Sequence, residues 1–276
     1  MNRRFERFAV AFVFVATVCA GIANAQNTGT PTTREINFLC WQEFGELVPA
    51  AINTVLVPLG SLEPHGVIPN GTDNLAPESM ARDIAERTNA LIAPTLNYGI
   101  TPAMEAYPGA VSISSEAYRG FVSDMLGSLA DNQFRNIILL NGHGGNTATL
   151  QSLVTEISNE KEVRMLLVNW WSLTSDIARE IFGDIGGHAA SNETAYIQAS
   201  YPEHIHSERY SEDMTMNTDA SWSASPVPYT ISLYVEGEGY PTFDQGQADL
   251  FFQRVNTQVV ELINDVIARW DRAGVN

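Results

Sequence analysis

The chain has 276 residues, of which 45% are apolar and 17% are charged, with 20 glycines and 13 prolines. A chain of this size and composition folds into one or two domains with a sizeable core, which excludes a disordered or coiled-coil protein. Acidic residues outnumber basic ones by 32 to 15, for a formal net charge of −17, and such a surface repels phosphate backbones, so nucleic acid is not an expected partner.

The first 25 residues have the pattern of a secretory signal peptide. A basic start precedes an apolar run over 8–18, and Ala23-Asn24-Ala25 is a small-residue cleavage site. This run of about 11 residues is too short to cross ~30 Å of hydrocarbon, and no later stretch reaches ~18 apolar residues, so no stable membrane insertion is expected. We predict cleavage near Ala25 and a secreted or periplasmic mature protein.

Short apolar runs then alternate with helical patterns. Residues 26–35 are polar and predicted to be a flexible lead-in. Apolar runs predict strands near 55–57, 91–93, 137–140 and 165–168, and helical patterns lie at 75–88, 115–132, 147–159 and 246–271. The runs are continuous rather than alternating, which is typical of parallel strands covered on both faces. The order predicts a layered α/β/α domain over 36–276 with a mostly parallel sheet.

One stretch departs from this order. Residues 203–236 are polar and rich in Ser, Glu and Asp, and they end in an alternating run over 229–235. We interpret this stretch as an excursion from the domain or as a β-ribbon.

Metal-ligating side chains follow the predicted strands. The carboxyl ends of parallel strands open into a crevice where ligands bind. Glu63, His65 and Asp73 follow the first predicted strand and His143 follows the third, whereas His188 and Glu193 lie further along the chain; each is a candidate metal ligand or proton-transfer group. The acidic excess is therefore compatible with carboxylates gathered around a cation.

Each segment alone has a second interpretation. Glu63 and His65 point the same way in an extended segment, and Asp73 can fold back beside them, yet a Glu-Pro-His sequence is also typical of an ordinary surface loop. A carboxylate can bridge two metals ~3.5–4 Å apart, which makes Asp73 a candidate bridge.

The later segments are equally open to two interpretations. Glycines flank His143 and permit close approach of a ligand, although an anion cradle or a core histidine fits as well, and no Gly-Lys-Ser/Thr follows to make a P-loop. Five residues span about 140° on a helix, so His188 and Glu193 reach one crevice only if His188 lies in the loop before the helix. Trp170 and Trp171 are core and rim aromatics or substrate gates.

Taken together, the segments resemble the creatininase (creatinine amidohydrolase) family. The matching pieces, in chain order, are residues 58–66 (PLGSLEPHG), 71–73 (GTD), 107–112 (YPGAVS), 141–146 (NGHGGN) and 188–194 (HAASNET), with a fainter match at 240–242. The resemblance covers roughly residues 50–270.

The resemblance implies a binuclear metal-dependent amidohydrolase on a layered α/β fold, commonly a homohexamer. By similarity, Glu63 and His143 bind one metal, His65 binds the other and Asp73 bridges them. Zinc suits the mixed nitrogen and oxygen ligands, and manganese is compatible with the oxygen-richer position. A water between the metals is the expected nucleophile, with His188 moving its proton to the leaving nitrogen and Trp171 lining the substrate pocket.

The chain also departs from the family pattern. Creatininase has a glutamate for the second metal where this chain has Gly145, so Glu193 is inferred as the fifth ligand. A second pocket tryptophan corresponds to Asp184, Met104 stands where relatives often carry a histidine, and Ala110 replaces a usual threonine. These changes make creatinine itself an unexpected substrate.

The sequence therefore predicts an exported hydrolase that cleaves a C–N amide bond of a small cyclic amide, formamide or peptide-like substrate with two divalent metals. One alternative is a non-catalytic exported metal- or ligand-binding protein that retains this fold. A second alternative is a hydrolase with Cys40 as nucleophile, although Cys40 precedes the first strand and has no neighbouring histidine in the sequence.

Overall fold

Four parallel strands form the central sheet in a computed structural model that describes residues 30–219 and 221–275. The strands are β1 (Thr54–Leu59), β2 (Ala90–Ile92), β3 (Asn136–Asn141) and β4 (Arg164–Asn169). They lie in the order β2-β1-β3-β4, with every pairing parallel. All residues of the first three strands are buried. This confirms the predicted parallel sheet covered on both faces.

Helices cover the two faces of the sheet. They are α1 (Trp41–Leu47), α2 (Thr72–Ile84), α3 (Ser115–Asp131), α4 (Thr147–Lys161), α5 (Trp170–Leu173), α6 (Ser175–Phe182), α7 (Ser191–Ser200) and α8 (Gln245–Ala273). Side chains from α1, α3 and α4 form one core with one face of the sheet, for example Leu47, Val122 and Leu153. The other core joins α2, α7 and α8 to the opposite face. The domain is therefore a layered α/β/α structure, as the sequence predicts.

Helix α2 begins and ends earlier than its sequence pattern predicts. It spans Thr72–Ile84 instead of 75–88, and it follows directly on Gly71. Asp73, which the sequence places in a loop that folds back, instead lies in the first turn of the helix and is buried. The negative charge is favourable there because the helix dipole is positive at its N-terminus.

The segment 203–236 is an excursion with very little strand. It contains three short 3₁₀ turns and the strands β5 (Thr215–Asn217) and β6 (Ile231–Leu233), which pair in parallel and not as a ribbon. Ile231 and Leu233 pack on Ala189 and Ala190, and the Ser232 N–H donates to the His188 carbonyl at 2.9 Å. The excursion therefore holds the loop that precedes α7.

The start of the described chain lies against the edge of the sheet. The Arg34 carbonyl accepts the Ile92 N–H at 2.7 Å, and the Arg34 guanidinium donates to the Ala90 carbonyl at 3.0 Å. The predicted signal peptide and residues 26–29 lie outside the described residues, so cleavage near Ala25 stays a prediction. Across 30–219 and 221–275, no helix has both the length and the apolar character that crossing a bilayer requires.

Candidate metal centre

The six predicted site residues meet at the carboxyl edge of the sheet. Glu63 and His65 follow β1, His143 follows β3, Asp73 lies in the first turn of α2, Glu193 lies in the first turn of α7 and His188 lies in the loop before it. The last placement satisfies the geometric condition set by the five-residue spacing of His188 and Glu193. Five of the six are buried, and His188 is half-buried.

A first group of ligand atoms comes from Glu63, Asp73 and His143. His143 Nδ1 lies 2.8 Å from Asp73 Oδ2 and 3.3 Å from Glu63 Oε1. His143 Nε2 lies 2.9 Å from the Ile100 carbonyl, to which it donates, so Nδ1 is the nitrogen that faces the carboxylates. A histidine fixed through one nitrogen and open at the other is the usual arrangement of a metal-ligating imidazole.

A second group comes from His65, Asp73 and Glu193. His65 Nε2 lies 3.0 Å from Asp73 Oδ1 and 3.6 Å from Glu193 Oε2. His65 Nδ1 donates to the Glu63 carbonyl at 3.0 Å, which leaves Nε2 for the carboxylates. In each of the two groups, the ligand atoms lie within 4.8 Å of one another.

Asp73 belongs to both groups and presents a different oxygen to each. Two of the buried atoms in this arrangement, His65 Nε2 and Asp73 Oδ2, have no well-directed hydrogen bond. Buried polar atoms without partners carry a desolvation cost that a cation removes when they coordinate it. The donor set of nitrogens and carboxylate oxygens fits two divalent cations that share Asp73.

The charges of the groups are strongly coupled. Burial opposes protonation of His65, but the carboxylates of Asp73 and Glu193 outweigh it and raise the pKa of His65 to about 10. Asp73 and Glu63 likewise overcome burial and raise the pKa of His143 well above its usual value. Burial raises the pKa of Glu193 to about 7. The two imidazoles thus supply the positive charge that the carboxylates require, which is the charge a divalent cation brings.

His188 differs from the other two histidines. Burial, and then the positive charge of His65, lower the pKa of His188 to about 4. Its Nε2 donates to the Pro64 carbonyl at 2.8 Å, and its Nδ1 lies 3.4 Å from Glu63 Oε1. A neutral imidazole with one nitrogen fixed and the other facing the carboxylates is suited to accept and return a proton. Glu63, His65 and His188 also form a third possible ligand group, so metal analysis has to separate the two roles.

Two glycines at strand ends make room for the backbone of Asp73. A Cβ on Gly142 would lie 1.9 Å from the Asp73 carbonyl oxygen, and a Cβ on Gly60 would lie 2.1 Å from it. Contacts this short cannot be relieved by side-chain rotation because the obstructing atom belongs to the backbone. The lack of a side chain at Gly60 and Gly142 therefore determines how closely the Asp73 backbone approaches the ends of β1 and β3.

We expect Gly142→Ala to destabilise the protein by about 1–3 kcal/mol and to weaken metal binding, because it pushes the Asp73 backbone away from both groups. Urea unfolding and bound-metal analysis measure the two effects. The matched control is Gly144→Ala, where an added Cβ has no neighbour within 4 Å. Equal unfolding midpoints for the two variants would contradict the assignment.

The backbone around Gly145 is too crowded for the glutamate that the resemblance to creatininase places at this position. An added Cβ would lie 2.2 Å from the Ile100 carbonyl oxygen and 2.5 Å from His143 Nε2. These atoms form the hydrogen bond that fixes His143, so this backbone leaves no space for a side chain at position 145. Glu193 lies in the second group instead, and its role as fifth ligand stays a prediction.

A cavity of about 340 Å³ opens over the candidate metal ligands. Trp171 lines it, as the resemblance implies, whereas Trp170 is buried and packs on Tyr196 with ring centroids 4.9 Å apart. Asp184, which corresponds to a second pocket tryptophan in the family resemblance, does not line the cavity. It accepts hydrogen bonds from the Gly186 N–H and the Ser191 hydroxyl, and so stabilises the loop before α7. Among the described residues, neither lysine nor arginine lines the cavity.

Several residues of the cavity wall were not identified from the sequence. They are Thr101, Val227, Tyr229, Ser232 and Tyr234. The alternating run over 229–235 held part of this information, because residues two apart in a strand share a face and Ser232 and Tyr234 both line the cavity. Cys40 is exposed and does not line this cavity, which gives no support to Cys40 as nucleophile.

Comparison with known proteins gives a match to one family model and to several proteins of known name. A family model described as creatininase, creatinine amidohydrolase, matches residues 37–246. The chain is 26% identical over 190 residues to a creatinine amidohydrolase of Pseudomonas putida, covering 62% of this chain and 73% of that protein. It is 29% identical over 170 residues to a 3-dehydro-scyllo-inosose hydrolase of Thermotoga maritima, covering 56% of this chain and 52% of that protein.

Further matches are to a peptidase and to solved structures. The chain is 28% identical over 176 residues to a mycofactocin precursor peptide peptidase of Mycobacterium ulcerans, covering 59% of this chain and 65% of that protein. A creatininase described as a manganese form has a TM-score of 0.75 at 21% identity, covering 84% of this chain and 98% of that one. A creatininase variant of the zinc–zinc type has a TM-score of 0.74 with the same identity and coverage. These structures share the fold of this chain.

Proposed function

The chain belongs to the creatininase family, and on that basis we propose that it is a metal-dependent hydrolase of a C–N amide bond in a small cyclic amide, formamide or peptide-like substrate. The observation that carries this proposal is the pair of ligand groups joined by Asp73, one oxygen of which faces each group. The relatives named for creatinine and for a precursor peptide support a range of amide substrates.

Two divalent cations are the proposed cofactors. Glu63, His143 and Asp73 would hold one, and His65, Asp73 and Glu193 the other. Zinc suits both groups, and manganese is compatible with one site, since carboxylates supply two of the three ligands in each group. The solved relatives described as zinc and manganese forms support this choice.

The bound metal pair would supply an activated water and polarise the substrate carbonyl. Among the protein's own residues, Asp73 would serve both sites, since one of its oxygens faces each ligand group. His188 would accept the proton of the attacking water at Nδ1 and return it to the leaving nitrogen, since its Nε2–H is already donated to the Pro64 carbonyl. Trp171, Tyr229 and Tyr234 line the cavity and limit the size of the substrate.

Metal analysis combined with an amide screen tests the proposal. We expect about two zinc or manganese ions per purified chain, turnover of at least one small amide, and loss of that turnover with a chelator. Restoration by added zinc or manganese is the control for irreversible damage. Stoichiometric metal without turnover of any amide would favour the non-catalytic binding protein, and absence of bound metal would overturn the proposal.

Export and assembly are proposed on sequence grounds. The signal-peptide pattern supports a secreted or periplasmic protein, and the family resemblance supports a homo-oligomer, a hexamer by analogy. Mass spectrometry of the protein from the extracytoplasmic fraction, with an expected N-terminus at Gln26, tests the first, and light scattering on the mature protein tests the second.

A further inference from the structure

The segment 107–112, part of the family resemblance, lies outside both ligand groups but supports one of them. The Val111 N–H donates to the Leu62 carbonyl at 2.9 Å, next to Glu63 in the chain. The Ser112 hydroxyl accepts the Thr101 N–H at 2.9 Å, and the Ile113 N–H donates to the Gly99 carbonyl at 3.0 Å. This stretch therefore fixes the backbone of residues 99–101 beside the first ligand group.

Residues 99–101 contact the Glu63 and His143 side chains of the first group on the side away from Asp73. The buried Thr101 hydroxyl donates to Glu63 Oε2, and the Ile100 carbonyl accepts from His143 Nε2 at 2.9 Å. The Ile100 N–H donates to Asn146 Oδ1 at 3.1 Å, which holds the same backbone from the other side. The contacts of Thr101 and Ile100 leave Glu63 Oε1 and His143 Nδ1 facing each other and Asp73.

The Thr101 hydroxyl gives the two carboxylate oxygens of Glu63 different surroundings. Oε2 is engaged by Thr101, whereas Oε1 lies 3.3 Å from His143 Nδ1 and 3.4 Å from His188 Nδ1. A carboxylate that binds a cation through both oxygens occupies two coordination positions, and one that binds through a single oxygen leaves a position open for water or substrate.

We propose that Thr101 is a positioning residue that reserves Glu63 Oε2 for its hydroxyl, so that Glu63 binds the first cation through Oε1 alone. This inference rests on the proposed function, because it requires a cation at the first group. Thr101 acts through its hydrogen bond to Glu63, and the 107–112 segment holds Thr101 in place through the Ser112 hydroxyl.

Among residues 30–219 and 221–275, no side-chain hydroxyl makes a comparable hydrogen bond to a ligand of the second group. Glu193 Oε2 accepts the Ala189 N–H at 2.6 Å, and His65 Nδ1 donates to the Glu63 carbonyl at 3.0 Å. Both contacts use the backbone and do not involve Thr101. A change at Thr101 is therefore expected to affect one cation and to spare the other.

The test is zinc titration of the metal-depleted full-length protein with a competing chelator, for the wild type and for Thr101→Val. We expect about 10–100-fold weaker affinity at one of two sites in the valine variant, the range found when an outer-shell partner is removed. Thr101→Ser retains the hydroxyl and is expected to bind as the wild type does. Thr95→Val is the matched control, because it removes a threonine hydroxyl that donates to Glu78 Oε2 at 3.1 Å, outside both ligand groups.

The outcomes separate this inference from the proposed function. A wild-type protein that binds fewer than two zinc ions would overturn the proposed function, and two unchanged affinities in Thr101→Val would overturn the role of Thr101 alone. If the valine variant does not fold, Thr101→Ala and Thr101→Ser are compared, since both lack the methyl group and differ by the hydroxyl. X-ray absorption of the zinc-loaded valine variant is expected to show more oxygen neighbours per zinc than the wild type.

Discussion

Asp73→Asn is expected to abolish tight binding of both metal ions and, with them, hydrolysis. The aspartate presents Oδ2 to His143 at 2.8 Å and Oδ1 to His65 at 3.0 Å, so both ligand groups lose a negative oxygen in one substitution. Because removal of an outer-shell partner alone costs ~10–100-fold in affinity, we expect a loss greater than ~100-fold at each site. Zinc titration and elemental analysis after gel filtration measure it.

The control for this prediction is a substitution confined to one group. Glu193→Gln alters only the second group, so one tightly bound zinc per chain is expected to remain. Asparagine is close in size to aspartate, and a cooperative unfolding curve for the variant would show that metal loss is not caused by misfolding. Retention of two zinc ions by Asp73→Asn would refute the shared-carboxylate arrangement.

His188→Ala is expected to lower kcat by about 10²–10⁴-fold while both metals stay bound, which is the usual effect of removing a proton-transfer group. The prediction follows from the position of its Nδ1, 3.4 Å from Glu63 Oε1, and from the hydrogen bond that fixes Nε2 on Pro64. Steady-state kinetics on an amide from the screen, together with metal content, measure the two quantities. The substitution leaves both Asp73-containing groups intact.

A surface histidine provides the comparison. His204 has a side chain that is 60% exposed, and His204→Ala is expected to leave kcat and metal content unchanged. If His188→Ala instead loses a metal ion, His188 is a ligand together with Glu63 and His65, and the proton-transfer role has to be assigned elsewhere.

The framework of the fold could be read from the sequence because its strands are continuous apolar runs. Runs such as 137–140 occur inside fully buried strands, and the chain order of runs and helices determines a parallel layered sheet. The sequence pattern predicts the start of α2 too late because Thr72 and Asp73 are polar, and a hydrophobic pattern does not detect polar residues in the first turn of a helix. Asp73 is buried because its backbone lies against Gly60 and Gly142 at the sheet edge.

The candidate ligands could be predicted because their segments, taken together and in this order, resemble the creatininase family, whereas each segment alone also has an ordinary structural interpretation. Thr101 and Ser232 could not be predicted, because a threonine or serine in a loop has no distinctive pattern, and their role depends on the partners that the fold brings to them. The surroundings of Gly145 are also set by the fold and cannot be predicted from the sequence. The sequence shows that glutamate is absent there, whereas the positions of Ile100 and His143 explain why.

The ligands are drawn from four separate segments between Glu63 and Glu193, and this has a thermodynamic consequence. An unfolded chain does not hold these side chains together, so metal ions at the proposed sites would bind the native state selectively and would stabilise it by mass action. A free metal concentration a thousandfold above Kd contributes about 4 kcal/mol per site. The melting temperature is therefore expected to rise with added zinc in the absence of substrate, and it then reports the occupancy of the sites.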